Sequence, residues 1–171
     1  MKLQRMSIGC PFQKKYISSL RTDDEAFMTL AYNEAIEAMK HDETPVGAVA
    51  ILGNKVIASA HNSVIELNDP SAHAEMLVIT KVATAIGDWR LNDIKLYVTK
   101  EPCPMCSGAI IMSRIGEVIF GVSDSKMGCL GGSLAMQEIK SFNHTPIVKK
   151  GVLEDDCLKL LEYFFEKKRK R

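Results

Sequence analysis

Nowhere does this chain hold about 18 consecutive apolar residues, so no membrane-spanning helix is expected. The opening stretch MKLQRMSIGCPFQKKY lacks the continuous apolar region of a secretory signal, so no export leader is expected either. A charge imbalance is also missing: the net charge is +1 over 171 residues. There is no internal repeat and no low-complexity block apart from a basic end, and with 46% hydrophobic and 25% charged residues the chain reads as one ordinary globular domain. An even cysteine set is absent as well. Five cysteines, one pair of them spaced Cys-x-x-Cys, suit metal or redox chemistry in a reducing compartment better than a disulfide framework, and a cytoplasmic protein is expected.

What positive charge there is sits locally. Lys167 to Arg171 are all basic, which leaves the rest of the chain at about −4. Such a run is either a solvated helix end or a nucleic-acid contact, and by itself it does not choose between them.

Residues 1–22 mix Pro, Gly, Ser and basic residues without a sustained period and read as an N-terminal extension, poorly ordered or a short helical lead-in, ahead of a domain over 23–171. Thr22 with Glu25 forms a capping-box pattern, and Phe27, Leu30, Ala31, Ala35, Ala38 and Met39 follow at helical spacing. GAVAIL and KVIASAHN flank Gly53-Asn54 as a hairpin would. Pro70-Ser71 is expected to open a helix to about Ala85, IKLYVT to form a strand, and a helix to run from Cys103 to about Ser113. Then come a strand at EVIFGV, a Gly-rich loop, a helix near 134–140, a short strand around 147–150, and a last helix from about Glu154 to Lys168 with Leu158, Leu161 and Phe165 along one face. The alternation predicts an α/β domain with helices on both faces of a mixed sheet.

Cys103 and Cys106 share a face at a helix start, where the helix dipole favours thiolates. A redox pair is the competing reading of that spacing. His73, at another helix start, would complete three ligands and leave a fourth tetrahedral position open, which is the mark of a catalytic zinc site. Cys129 as a fourth ligand would close such a site. His41, His61 and His144 have no carboxylate at a matching offset, and Cys10, Cys129 and Cys157 read as a tail, a loop and a buried helix thiol. Glu75 would point about 200° around a helix from His73, yet a backbone turning from extended to helical can aim it at the same spot. HAE together with PCPMC is the His-x-Glu and Pro-Cys-x-x-Cys signature of zinc nucleobase deaminases, in which the glutamate carries protons and zinc lowers the pKa of water toward about 7.

The run ETPVGAV, HN, DPSAHAEM, WRLND, LYVTKEPCPMCSGAIIMSRIGEVIFGVSDSKMG, NH and LLEYFF resembles the bacterial tRNA-specific adenosine deaminases, the TadA family, over about 24–168. The resemblance implies a cytidine deaminase-like fold, a three-layer α/β/α sandwich on a mixed five-stranded sheet. It implies homodimers with one zinc per subunit that convert the wobble adenosine of an arginine tRNA, anticodon ACG, to inosine in the unpaired anticodon loop. It makes His73, Cys103 and Cys106 the zinc ligands and Glu75 the proton shuttle. Asn62 falls on the family's base-contacting amide, Val46 on a wall of the base pocket, and Ala74 on a backbone amide near the reacting base. Asp124 and Lys126 match a loop that approaches the anticodon. Phe164, Phe165, Lys168 and Arg169 fall on an aromatic-basic helix, where aromatics stack bases and cations meet phosphates, with Phe165 expected to pack into the core. Thr80, Glu166 and a GCLGGS loop one residue longer than usual depart from the family pattern. A free-base or nucleoside deaminase of the guanine or cytosine type, and a non-catalytic zinc-stabilised RNA-binding subunit, are the alternatives.

Overall fold

The computed structural model describes residues 9–19 and 21–170; expectations that fall on residues 1–8, 20 and 171 lie outside the described residues. The chain runs α1 (Asp24–Lys40), β1 (Gly47–Leu52), β2 (Lys55–His61), α2 (Val64–Leu67), α3 (Ala74–Ile86), β3 (Ile94–Lys100), α4 (Pro104–Met112), β4 (Glu117–Val122), β5 (Ile147–Lys150) and α5 (Glu154–Arg169). The five strands form one sheet in the order β2-β1-β3-β4-β5. β1 is antiparallel to β2 and β3, whereas β3, β4 and β5 run parallel.

Side chains alternate across the sheet and assign its two faces. Val49, Ile51, Tyr97 and Ile119 pack with Met28, Ile36, Leu160 and Phe164 of α1 and α5. Their neighbours Ala48, Ala50, Leu96, Val98, Val118 and Phe120 pack with Val78, Val82 and Ile110 of α3 and α4. The result is an α/β/α sandwich, as expected, and the central strands β1, β3 and β4 are nearly all buried because both of their faces are covered. Gly47 lets β1 start hard against α1, where a Cβ would sit 2.0 Å from the Ala31 carbonyl oxygen.

Several boundaries differ from the sequence expectation. The cap of α1 is Asp23, not Thr22, with Oδ1 accepting from the Ala26 N–H at 2.8 Å. Pro70-Ser71 form a turn rather than a helix start, because the Asp69 carboxylate captures the Ser71 N–H at 2.8 Å and helix α3 opens only at Ala74. The helix expected near 134–140 is a single 3-10 turn, Met136–Glu138, preceded by backbone drawn into a tight loop in which Ser133 and Leu134 N–H groups both donate to the Gly128 carbonyl. Its apolar residues Leu134 and Ile139 stay exposed, so no buried face rewards a longer helix. The short α2 has no sequence signal; the Ile65 and Glu66 N–H groups in it donate to the Glu43 carboxylate. On α5 the buried stripe is Cys157, Leu160, Leu161 and Phe164, with Leu158 and Phe165 outside it.

Of the first 22 residues, the described part lies over α1 and α5. The Lys15 N–H donates to Asn33 Oδ1 at 2.8 Å, Asn33 Nδ2 returns a bond to the Lys15 carbonyl at 2.9 Å, and Phe12 meets Tyr163 edge-on at 5.6 Å.

Candidate active site

His73 and Cys103 are both N-cap residues, with extended backbone at φ −70°, ψ 151° and φ −72°, ψ 175°. Pro104 follows Cys103 at the first turn of α4, where its missing N–H costs nothing. Two helix N-termini therefore converge, and His73 Nδ1 lies 3.6 Å from Cys103 Sγ and 3.5 Å from Cys106 Sγ. These three ligand atoms lie within 4.8 Å of one another. One imidazole nitrogen and two thiol sulfurs at this spacing fit zinc, whose structural and catalytic sites use these donors. Cys129 does not join them, although its backbone N–H donates to the Pro102 carbonyl at 3.0 Å; its Sγ faces the Met127 carbonyl at 3.6 Å.

The cluster is electrostatically polarised. A hydrogen bond from Cys106, against the cost of burial and with help from His73, pulls the Cys103 thiol down to about 4. Cys106 is pushed upward because it keeps the proton in that bond and is buried beside Glu75. The bond to Cys103 raises the His73 imidazole, and burial raises the Glu75 carboxyl.

Glu75 is 4% exposed and opens on the same cavity as His73 and Cys103, a space of about 350 Å³. The 200° offset of an ideal helix does not apply, since His73 precedes the first helical residue. Val46 and Asn62 line the cavity too. Ala74 lies buried in the core beneath it, and as the first residue of α3 its N–H has no intrahelical acceptor. Cys106 sits behind the opening at 0% exposure.

The more distant candidates divide. Asp124 pairs with Lys100, a cavity residue, and its Oδ1 accepts from the Lys126 N–H at 2.9 Å, so the carboxylate organises its own loop. The Lys126 side chain is exposed. Phe164 is buried at 3% in the α1/α5 core, whereas Phe165, expected in the core, is 44% exposed and lines the cavity. The two exchange roles because the buried stripe of α5, Cys157, Leu160, Leu161 and Phe164, shares only Leu161 with the expected face and is rotated away from Leu158 and Phe165. Lys168 stands 5.2 Å from the Phe164 ring and 3.7 Å from the Asp42 carboxylate; Arg169 is exposed. Thr80 is exposed on α3 with its hydroxyl bonded to the Met76 carbonyl, and Glu166 pairs with Lys170.

Sequence reasoning missed the buried carboxylates around the cavity. Glu101 accepts from the N–H groups of Asp124, Leu130 and Gly132 at 2.8, 2.9 and 2.8 Å and so fixes the GCLGGS loop. Glu43 does the same for α2 and Asn62. Nothing in a single sequence separates such glutamates from surface ones. Two histidines also gain carboxylates that no sequence offset revealed, with His61 Nδ1 3.2 Å from Glu34 and His41 Nδ1 3.8 Å from Glu66. His41, His61 and Glu66 make a second, more exposed cluster of possible ligands.

The chain is similar to several known deaminases. The family model described as MafB19-like deaminase matches residues 22–169. The tRNA-specific adenosine deaminase of Bacillus subtilis is 45% identical over 150 residues, which is 88% of this chain and 93% of that protein. A structure solved in a study of A-to-I editing by tRNA:A34 deaminases at the wobble position superposes with a TM-score of 0.77 at 41% identity, covering 79% of this chain and 98% of the other. The guanine deaminase of Bacillus subtilis superposes with a TM-score of 0.57 at 37% identity over 59% of this chain and 65% of its own. The chain belongs to the MafB19-like deaminases and, among them, to the tRNA-specific adenosine deaminases.

Proposed function

We propose that the protein deaminates adenosine to inosine by hydrolysis at the wobble position of a tRNA anticodon, with an arginine tRNA of anticodon ACG as substrate. The observation that carries this reading is the buried carboxylate of Glu75 in one cavity with His73 and Cys103. His73, Cys103 and Cys106 would hold one zinc ion per subunit. When bound, zinc supplies Lewis acidity that brings the deprotonation of water toward neutral pH. Water adds at C6 of the adenine ring and ammonia leaves, so protons must be moved twice. The Glu75 carboxylate accepts a proton from the attacking water and passes it to the ring nitrogen N1. It then takes the proton of the hydroxyl now on C6, as the carbonyl forms and the C6–N bond breaks, and hands it to the amine, which leaves as ammonia. Burial raises its pKa, which suits a group that must both take and release protons.

The remaining residues bind and orient. Val46 and Phe165 wall the base pocket, Asn62 contacts the base, and the Ala74 N–H faces the reacting ring. Asp124 shapes the loop that brings Lys126 to the anticodon backbone, and Lys168 and Arg169 at the end of α5 meet phosphates. Phe164 supports Phe165 from within the core. The catalytic domain is 23–171, with 1–22 as an extension to it. A flipped base from an unpaired loop fits a pocket that no base held in a duplex can reach.

We place the protein in the cytoplasm; no helix among the described residues is long and apolar enough to cross a membrane. It acts as a homodimer, a reading supported by exposed apolar side chains at Trp89, Met112 and Phe142 around a depression of about 170 Å³. A species of 19.0 kDa by light scattering would contradict the dimer.

Incubation of the purified, zinc-loaded protein with an ACG-anticodon tRNA, followed by sequencing for inosine, tests the reaction; no conversion sinks it. Ammonia release from free guanine in the absence of tRNA would instead favour the guanine deaminase reading, for which the shared fold is the motive.

A further inference from the structure

Glu43 lines the catalytic cavity, yet the chemistry above gives it no task. It is 1% exposed. A carboxylate reaches such depth only when its oxygens are matched by donors. Oε1 accepts from the backbone N–H groups of Ile65 and Glu66 at 2.6 and 2.8 Å, and Oε2 accepts from Asn62 Nδ2 at 2.9 Å. Asn62 cannot slide away, because its own backbone N–H donates to the Val46 carbonyl at 2.9 Å and the next N–H, of Ser63, to the Ala72 carbonyl at 3.0 Å.

The two ends of an asparagine amide are alike in shape and opposite in polarity. A carboxylate oxygen only accepts, so Glu43 holds the nitrogen end and excludes the flipped amide. The oxygen end, which takes no donor among the described residues, is left for the cavity. We propose that Glu43 is a positioning residue: it locks Asn62 so that Oδ1, an acceptor, meets a donor of the bound nucleoside, its exocyclic amine or a ribose hydroxyl. The same carboxylate ties that amide to Ile65 of α2, another wall of the cavity, so base recognition and pocket shape share one anchor. This rests on the deaminase reading given above.

Glu43→Gln tests it at nearly constant volume. The new amide oxygen keeps the two backbone donors, which turns its NH2 toward Asn62 and forces Asn62 to flip, so a donor now faces the substrate's donor. Glu43→Gln/Asn62→Asp restores a matched pair and returns an oxygen to the cavity. Deamination of an ACG anticodon stem-loop is measured for wild type and both variants, with zinc content and Tm alongside. The expected result is a fall in kcat/KM of about 10–100-fold for Glu43→Gln, mainly through KM, with zinc and Tm retained and most of the loss recovered in the double variant. The proposal is overturned if Glu43→Gln stays within about twofold of wild type. It is also overturned if its loss tracks loss of zinc or Tm, or if the double variant is no more active than the single one. An inactive wild type would instead remove the deaminase reading. Hydrogen exchange of the Asn62 Nδ2 protons by NMR then decides the orientation alone: protected in wild type and exposed in Glu43→Gln supports the lock, and equal exchange in both refutes it.

Discussion

Phe164 and Phe165 meet edge to face, with ring centroids 5.5 Å apart and planes at 80°, yet they belong to different parts of the molecule. Phe164 is 3% exposed in the α1/α5 core, and Phe165 is 44% exposed at the cavity lined by His73, Glu75 and Cys103. Consecutive helical residues point about 100° apart, so this pair straddles the edge of the buried stripe of α5. The core thereby sets the attitude of a cavity wall through one aromatic contact.

Truncating each ring should separate stability from activity. Phe164→Ala is expected to destabilise the fold by about 3–5 kcal/mol, seen as a lower urea midpoint. Phe165→Ala should cost far less stability but lower kcat/KM for an anticodon stem-loop by about 10–100-fold, the worth of one stacked base. Equal effects on the urea midpoint would show that both rings are structural.

The exchange between these two residues shows where sequence legibility ends. Helix and strand order follows from periodicity and turn residues, so the layers, the hairpin and the positions of His73, Cys103 and Cys106 are all readable beforehand. The rotation of α5 is not, since a face through Leu158, Leu161 and Phe165 looks as good on paper as the observed one through Cys157, Leu160, Leu161 and Phe164. The three-dimensional pairing of Glu43 with Asn62, or of Glu101 with Gly132, joins segments far apart in the chain, and a lone sequence offers no marker for it. Glu75 is the intermediate case: its direction depends on His73 being a cap rather than a helical residue, which the preceding Pro70 only hints at.

The proposed ligand set predicts a division between metal content and turnover. Cys103→Ala and His73→Ala should each leave two donors and purify with much less than one zinc per chain by elemental analysis. Glu75→Ala should keep its zinc while losing about 10²–10⁴-fold in rate, the usual span for a general acid-base group. A Glu75→Ala enzyme that turns over normally would remove this residue from the mechanism. Chelation should lower the Tm of wild type more than that of Cys103→Ala.

Two glycines give opposite expectations. A Cβ on Gly132 would sit 2.4 Å from both the Asp124 carbonyl oxygen and Glu101 Oε2, whereas one on Gly108 in α4 meets nothing within 4 Å. Gly132→Ala should therefore cost about 1–3 kcal/mol by overpacking and displace the loop carrying Lys126. Gly108→Ala should raise stability by about 0.5–1 kcal/mol through helix propensity. Thermal melts of the two variants check both signs.

Acid stability should depend on Glu34. The bond from His61, opposed by burial and aided by Ser59 at 2.8 Å, holds its carboxyl below the ordinary value of 4.5. A group with a depressed folded pKa adds stability that is present above its unfolded value and lost as pH falls through the folded one. Glu34→Gln should accordingly be about 1 kcal/mol less stable than wild type at pH 7. The gap should narrow as pH drops below 4.5. Urea titrations across that range measure it, and a gap that widens on acidification would contradict the pairing.

The salt dependence of RNA binding separates the basic residues from one another. Each phosphate contact with a single-stranded segment contributes about 0.7 to the slope of log K against log salt. Lys126 and Arg169 are exposed. Lys168 is partly committed to Asp42 at 3.7 Å and to the Phe164 ring at 5.2 Å. In a catalytically silent Glu75→Ala background, replacing Lys126 or Arg169 with Ala should flatten the slope by about 0.7 each, and replacing Lys168 by less. Fluorescence anisotropy of a labelled anticodon stem-loop between about 50 and 200 mM KCl reads these slopes. A full step lost at Lys168 would mean that RNA displaces Asp42, and unchanged slopes at all three would move the phosphate path away from both the Lys126 loop and the end of α5.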